Sequence, residues 1–164
     1  MSNLDKSFKI FEAFHNDWAL VTSGNLLHHN SMTVSWGEMG TLWNKPVVTI
    51  YIKPVRYTHN FIEDNECFVV SFYDEAYKKS LMIMGSKTGR DSNKDELSNL
   101  TPYEYQGVTL YKEAKLSLIC KKIYQNDLDL SRIPNKEIET YYIEEAPHTM
   151  YIGEVIEIIE KSNF

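Results

Sequence analysis

Residues 46–53, PVVTIYIK, restrict the fold more than any other stretch of the chain. Successive side chains of an extended strand alternate between its two faces, so Val48, Ile50 and Ile52 fall on one side and Val47, Thr49 and Tyr51 on the other. Pro46 and Pro54 bracket the run, as suits residues with no N–H to give to a ladder. Such a strand needs partners, and the sequence offers several. Residues 18–23 (WALVTS) read as a short buried strand, followed by a turn-rich break over 24–31 and a second strand over 32–37 (MTVSWG). Residues 67–73 read the same way. Residues 108–112 and 114–125 suggest a hairpin turning at Lys112 and Glu113. Residues 148–160 form a last strand, in which Gly153 marks a bulge or a close backbone approach.

Helices are short and fall at connections. Residues 56–65 carry Tyr57 and Phe61 at i, i+4 on one face. A second helix takes Asp74 as N-cap, Tyr77, Leu81 and Met84 as its apolar stripe, and Gly85 as C-cap. Residues 93–100 suit a helical turn and residues 136–144 a further helix. Mostly strands with a few helices between them predict a mainly β fold, an antiparallel barrel decorated by helices. The C-terminal third lacks the strand–helix alternation of a doubly wound sheet.

Composition narrows the class. With 164 residues, 43% hydrophobic and 24% charged, the chain is expected to form one domain over 1–164. A disordered chain, a collagen and a small disulfide scaffold are excluded. A formal net charge of −6 argues against a nucleic-acid backbone or an anionic membrane as main partner. The opening residues show no basic and apolar leader pattern, and no apolar run reaches the roughly 18 residues of a membrane span. Cys67 and Cys120 lie far apart in strand-like runs, with no zinc-type spacing, and read as buried free thiols. The expected setting is cytoplasmic.

Several chemistries are missing. The chain has no GxGxxG, no Walker A loop, no HExxH and no GxSxG. His28 and His29 are adjacent and in a strand would face opposite ways, so no shared metal is expected. Glu63, Asp64 and Glu66 read as a solvated helix end, and residues 154–160 as a solvated acidic strand face.

Two of the three arginines sit in small, polar, turn-forming contexts. Arg56 opens a helix with Thr58 beside it, and a helix N-terminus with a guanidinium and a hydroxyl suits phosphate. Arg90 ends the run Ser86-Lys87-Thr88-Gly89-Arg90 inside a long polar stretch over 85–102, of a length that is uncommon and often functional. Together these segments suit a phosphate monoester, although the same residues also suit a capped carboxylate and a solvated loop. Residues 30–37 (NSMTVSWG) set hydroxyls beside Met32 and Trp36 near a strand end. That combination suits a flat heteroaromatic ring, or a barrel strand with Trp36 in the core.

The run over 18–72 resembles the flavin reductase-like proteins with an FMN-binding split barrel. The matching pieces are WALVTSG, NSMTVSWG and KPVVTIYIKPVRYTHNFIEDNECFVVSFY, extended by SKTGRDSNKDE, APHTMYIGEV and the tyrosine-bearing stretch over 122–129. The resemblance implies a six-stranded antiparallel split β-barrel, a homodimer, and FMN near the subunit interface. It implies that Asn30, Met32, Thr33, Val34, Ser35 and Trp36 line the flavin. Arg56 and Thr58 would hold its phosphate, and Lys87 and Arg90 would close over it. The implied activity is NAD(P)H-dependent flavin reduction, with hydride passing from nicotinamide to FMN. A flavoredoxin-like electron carrier and a pyridoxamine-phosphate-oxidase-like flavoprotein share the barrel. One departure concerns the Gly-Asp-His motif of many catalytic flavin reductases. Residues 146–150 read APHTM here, so only His148 matches, either as a residue at the mouth that guides substrate or as an ordinary surface histidine; the loss bears on NAD(P)H use more than on FMN.

Overall fold

The computed structural model describes residues 9–161. Part of the leader reading rests on residues 1–8, which lie outside the described residues. Nine strands are present among those described: β1 (Ala19–Asn25), β2 (His28–Val34), β3 (Gly37–Leu42), β4 (Lys45–Ile52), β5 (Cys67–Phe72), β6 (Pro102–Tyr105), β7 (Val108–Tyr111), β8 (Leu116–Asp127) and β9 (Thr149–Glu160). The α-helices are α1 (Ile10–His15), α2 (Tyr57–Asp64), α3 (Lys78–Ser86), α4 (Lys94–Ser98) and α5 (Lys136–Glu139).

Seven strands form one antiparallel sheet in the order β2-β1-β5-β8-β9-β4-β3. Its two edges, β2 and β3, are joined in the chain by only Ser35 and Trp36. A flat seven-stranded sheet would hold its edges about 29 Å apart, at about 4.8 Å per gap. Three peptide steps from Val34 to Gly37 span at most about 11 Å. The sheet therefore curls until its edges approach without pairing, which makes a barrel split along the β2–β3 seam. This is the mainly β antiparallel split barrel expected, with seven strands in the sheet.

The barrel interior is filled by Val21, Val48, Ile50, Ile52, Phe68, Val70 and Cys120. Gly153 sits where β9 passes closest to this core. A Cβ there would lie 2.6 Å from both Phe68 Cζ and Cys120 Cβ, and the β8–β9 register shifts beside it. Both sequence signals at Gly153, bulge and close approach, are therefore present. A second apolar layer forms where α3 lays Leu81 and Met84 against Leu20, Tyr73, Leu100 and Tyr111. This leaves β1 buried on both faces.

Several expectations are corrected. Strand β7 pairs with β6, not with β8. The β6–β7 turn puts Gln106 and Gly107 at positive φ, the backbone of a tight hairpin, whereas both sides of β8 are taken by β5 and β9. The 24–31 break is only a two-residue turn at Leu26 and Leu27, with Asn25 Oδ1 accepting from the Leu27 and His28 N–H groups at 3.0 and 2.9 Å. Asp74 makes no capping hydrogen bond, because a 3-10 turn (Glu75–Tyr77) precedes α3. Gly85 lies inside α3 rather than capping it; its bare Cα admits Thr33, whose Cβ would be 3.2 Å from an added methyl. Glu63 is not merely solvated, since it accepts from Tyr151 Oη and Gln125 Nε2. Cys120 is buried and Cys67 half-buried, both free, with burial raising each thiol's pKa. No group of three or more metal-ligating side chains occurs among the described residues.

Candidate functional site

A cavity of about 330 Å³ opens at the β2–β3 seam. Its floor is Met32, Thr33, Val34, Ser35 and Trp36, and its walls include Tyr51, Lys53, Val55, Arg56, Glu145 and His148. Strand β2 is an edge strand, so half of its backbone groups face away from β1. The Ser31 carbonyl accepts from Lys94 Nζ and so points off that open edge. Every second residue of an antiparallel strand presents the same edge, which makes Thr33 the next outward-facing backbone unit. The Thr33 side chain is committed elsewhere, its hydroxyl donating to the Leu81 carbonyl of α3. Thr33 thus offers the cavity its backbone, not its hydroxyl.

Trp36 is 43% exposed and stands at the mouth rather than in the core. Its ring meets Tyr141 edge-on at 5.4 Å and His148 at 5.3 Å. The segment bearing Tyr141 and Glu145 is fastened to the barrel by Lys53, which donates to Glu145 and, at 3.2 Å, to the Tyr141 carbonyl. His148 is buried, with Nδ1 2.9 Å from Tyr142 Oη. Burial and the Lys53 ammonium pull its pKa down to about 4, against the pull of Glu145. Its ring is uncharged near neutral pH.

A second cavity of about 260 Å³ adjoins the first and shares Met32, Val55, Arg56 and Glu145 with it. It lies at the N-terminus of α2, where the first turn leaves N–H groups unpaired. Arg56 is the N-cap residue, and its Nη2 donates to the Gly85 carbonyl at 3.0 Å. Thr58 is buried and its hydroxyl accepts from Asn30 Nδ2 at 2.8 Å, which leaves its proton to donate. The strap after α3 brings Lys87, Thr88, Gly89 and Arg90 over this cavity. Arg90 is steadied by the Val55 carbonyl, 3.2 Å from Nη1, and by the Tyr57 ring, 4.9 Å below its guanidinium. A Cβ on Gly89 would lie 2.1 Å from Asn30 Oδ1, so the strap touches β2 only because that residue is glycine.

The structure therefore brings all the sequence-derived candidates into one groove. Met32, Thr33, Val34, Ser35, Trp36 and His148 line the first cavity; Asn30, Thr58, Lys87 and Arg90 line the second; Arg56 stands between. Arg132, the remaining arginine, lies outside both and pairs with Asp129 at 3.2 Å. Sequence reasoning missed Lys94, Tyr51, Lys53, Tyr57 and Glu145. Lys94 carried a signal, since it belongs to the same polar stretch as Lys87 and Arg90. Glu145 carried none, because it reaches the groove only through the path of the chain after β8. Arg56, Lys87, Arg90 and Lys94 give the second cavity four cations against one carboxylate, Glu145, which is already paired with Lys53. In a chain of net charge −6, this is a strong local reversal of sign.

The model of the flavin reductase like domain matches residues 11–163. The chain belongs to that family. This places it among flavin-binding oxidoreductases. Proteins of known structure share the fold. An FMN-binding protein from Thermus thermophilus superposes with a TM-score of 0.70 at 18% identity, over 90% of this chain and 73% of its own. A flavoredoxin from Methanosarcina acetivorans gives 0.69 at 19% identity, over 89% and 69%. The NADH:FAD oxidoreductase of Streptomyces globisporus C-1027 gives 0.68 at 18% identity, over 93% and 80%. An uncharacterized protein from Archaeoglobus fulgidus is 26% identical over 137 residues, 82% of this chain and 67% of its own. Among the described residues, no helix of this family member is long and apolar enough to cross a membrane.

Proposed function

We propose that this chain binds FMN along the two joined cavities and acts as an NAD(P)H-dependent flavin reductase. The observation that carries the reading is the division of the groove. Aromatic and apolar side chains with an open strand edge line one half, and four cations with a helix N-terminus line the other. A flat ring joined by a short polar chain to a phosphate monoester matches that division.

The residues present fit this cofactor. Arg56, Lys87, Arg90 and the Thr58 hydroxyl would hold the phosphate, and Asn30 orients Thr58 for the task. Met32 and Trp36 would give apolar contact to the ring, with the Thr33–Ser35 backbone presenting donors along its edge. When bound, FMN supplies the two-electron redox chemistry, and the protein supplies binding, orientation and electrostatics. The backbone N–H of Thr33, fixed on a paired strand, is a preorganised donor for charge developing on a bound ring. Trp36, Tyr141 and His148 pack together at the mouth of the seam. His148 does so as a neutral ring, which makes it a wall and a guide for substrate rather than a charged acid. One FMN-binding domain, a homodimer and a cytoplasmic setting complete the reading.

A second reading, a flavoredoxin-like electron carrier, is favoured by one feature. His148 is buried and bonded to Tyr142 rather than displayed to an incoming nicotinamide. The deciding experiment follows NAD(P)H oxidation by purified protein with added FMN. Turnover supports the reductase, a retained yellow cofactor without turnover supports the carrier, and a colourless protein that loses FMN on dialysis ends both.

A further inference from the structure

The path from β8 to β9 leaves the barrel and returns to the same place. Asp127 pairs with Thr149 at the end of the ladder, and the Leu128 N–H donates to the His148 carbonyl at 3.0 Å. Thr149 fixes this base from inside. It is buried, its hydroxyl donates to Asp127 Oδ1 at 2.7 Å, and His59 Nε2 lies 3.0 Å from the same hydroxyl oxygen. Between these posts residues 129–147 form an excursion of 19 residues, a length at which loops commonly serve as lids or binding loops.

The body of the excursion is as loose as its base is firm. None of residues 129–147 is buried. Its regular structure is three short turns, Leu130–Arg132, α5 and Thr140–Tyr142, and hydrogen bonds within it join near neighbours: Asp129 with Ser131, Asn135 with Glu137, and Thr140 with Glu137. A segment without buried apolar contacts opens at little cost to the rest of the fold. It leans on the barrel at the mouth of the first cavity. Lys53, just past β4, donates to Glu145 and to the Tyr141 carbonyl, and its ammonium lies 5.7 Å from the centre of the Tyr142 ring. Tyr141 meets Trp36 edge-on across the opening. Glu145 lines both cavities, so the segment reaches the groove where its two halves join.

A firm base, a body with no core and one cation holding three neighbouring points describe a hinged cover. We infer that residues 129–147 open and close over the groove, with Lys53 as the latch and Glu145 as its catch. Closed, Tyr141 and Glu145 narrow the groove; release from Lys53 widens it to flavin and to the redox partner alike. What passes under the cover rests on the FMN reading, whereas the latch rests on the contacts of Lys53. The Lys53 and Glu145 side chains are 22% and 47% exposed, so water and salt weaken their pair.

The test has one arm without flavin and one with it. Arg132 and Lys136 lie exposed on the cover and serve as trypsin sites that report its release. Cleavage there, followed by mass spectrometry, should be about fivefold faster in Lys53→Met than in wild type, the size of one partly exposed ion pair. Glu145→Gln should show a smaller gain, because its neutral amide still accepts from Lys53. Raising KCl from about 0.02 to about 0.5 M should speed cleavage of wild type and leave both variants flat, after correction with a small peptide for the effect of salt on trypsin itself. In the second arm, stopped-flow fluorescence follows FMN entry and release. Opening precedes both, so Lys53→Met should raise both rates about fivefold and leave the dissociation constant within about twofold. A Lys53 that merely touches flavin would change the ratio of the rates instead. The inference is overturned if wild type and Lys53→Met are cut equally fast, if wild-type cleavage ignores salt, or if Lys53→Met changes one rate alone. A wild-type protein that binds no flavin overturns the FMN reading, and the trypsin arm then decides the cover by itself.

Discussion

Arg56→Ala removes the one cation shared by both halves of the groove. Arg56 is solvent-exposed, makes no side-chain capping bond to α2, and spends one nitrogen on the Gly85 carbonyl at 3.0 Å. Its loss therefore leaves no buried polar group without a partner, and the melting temperature should hardly move. What is lost is one hydrogen bond between charged groups, worth about 1.5–3 kcal/mol. At about 1.4 kcal/mol per decade, FMN affinity should fall by about 10- to 150-fold. There is a partial compensation. Arg56 depresses the Lys94 ammonium, so its removal lets Lys94 hold its proton to higher pH. Titration near pH 7, where Lys94 is already charged, avoids that recovery. Arg132→Ala is the matched control, because Arg132 pairs with Asp129 outside the groove. Quenching of flavin fluorescence gives both dissociation constants, with riboflavin reporting ring binding alone. Equal FMN affinities for the two variants, or an equal loss of riboflavin affinity in Arg56→Ala, would refute the assignment of Arg56 to the phosphate.

Two further outcomes follow from the same geometry. Gly153→Ala forces a methyl to within 2.6 Å of Phe68 and Cys120 in the barrel, and overpacking of that kind costs about 1–3 kcal/mol; chemical denaturation should show it as an earlier midpoint. His148 has a depressed folded pKa of about 4 against an unfolded 6.5, so its contribution to stability is complete above about 6.5 and is lost as pH falls toward 4. In His148→Gln that part of the acid sensitivity should disappear from thermal melts recorded across this window, and an unchanged slope would show that other groups carry it.

Local pattern carries far in this protein where one residue sets one contact. The alternation in β4 and the i, i+4 pair Tyr57 and Phe61, whose rings lie 5.0 Å apart, follow from periodicities of the backbone itself. Gly153 was legible for the same reason, because only glycine tolerates a neighbour so close. Capping at Asp74 and Gly85 was not, since those residues answer to a preceding 3-10 turn and to Thr33 across the α3–β2 contact. Strand β3 escaped because its burial alternates without an apolar run, and the partner of β7 escaped because pairing is chosen by competition among strands.

The site divides along the same line. Residues 30–36, Arg56 with Thr58, and the strap at Lys87 and Arg90 announce their chemistry locally, as a strand end, a helix start and a polar loop. That they share one groove is a property of the curled sheet, whose edges β2 and β3 meet because Ser35 and Trp36 are too short to let them stay apart. Glu145 belongs wholly to that second level, and so does the burial of Lys94, although its polar stretch stands out in the sequence. Nothing in a lysine or a glutamate says whether it will face water. Only the packing of α4 against β2, and the Lys53 tether on the segment after β8, turn them toward the same cavity.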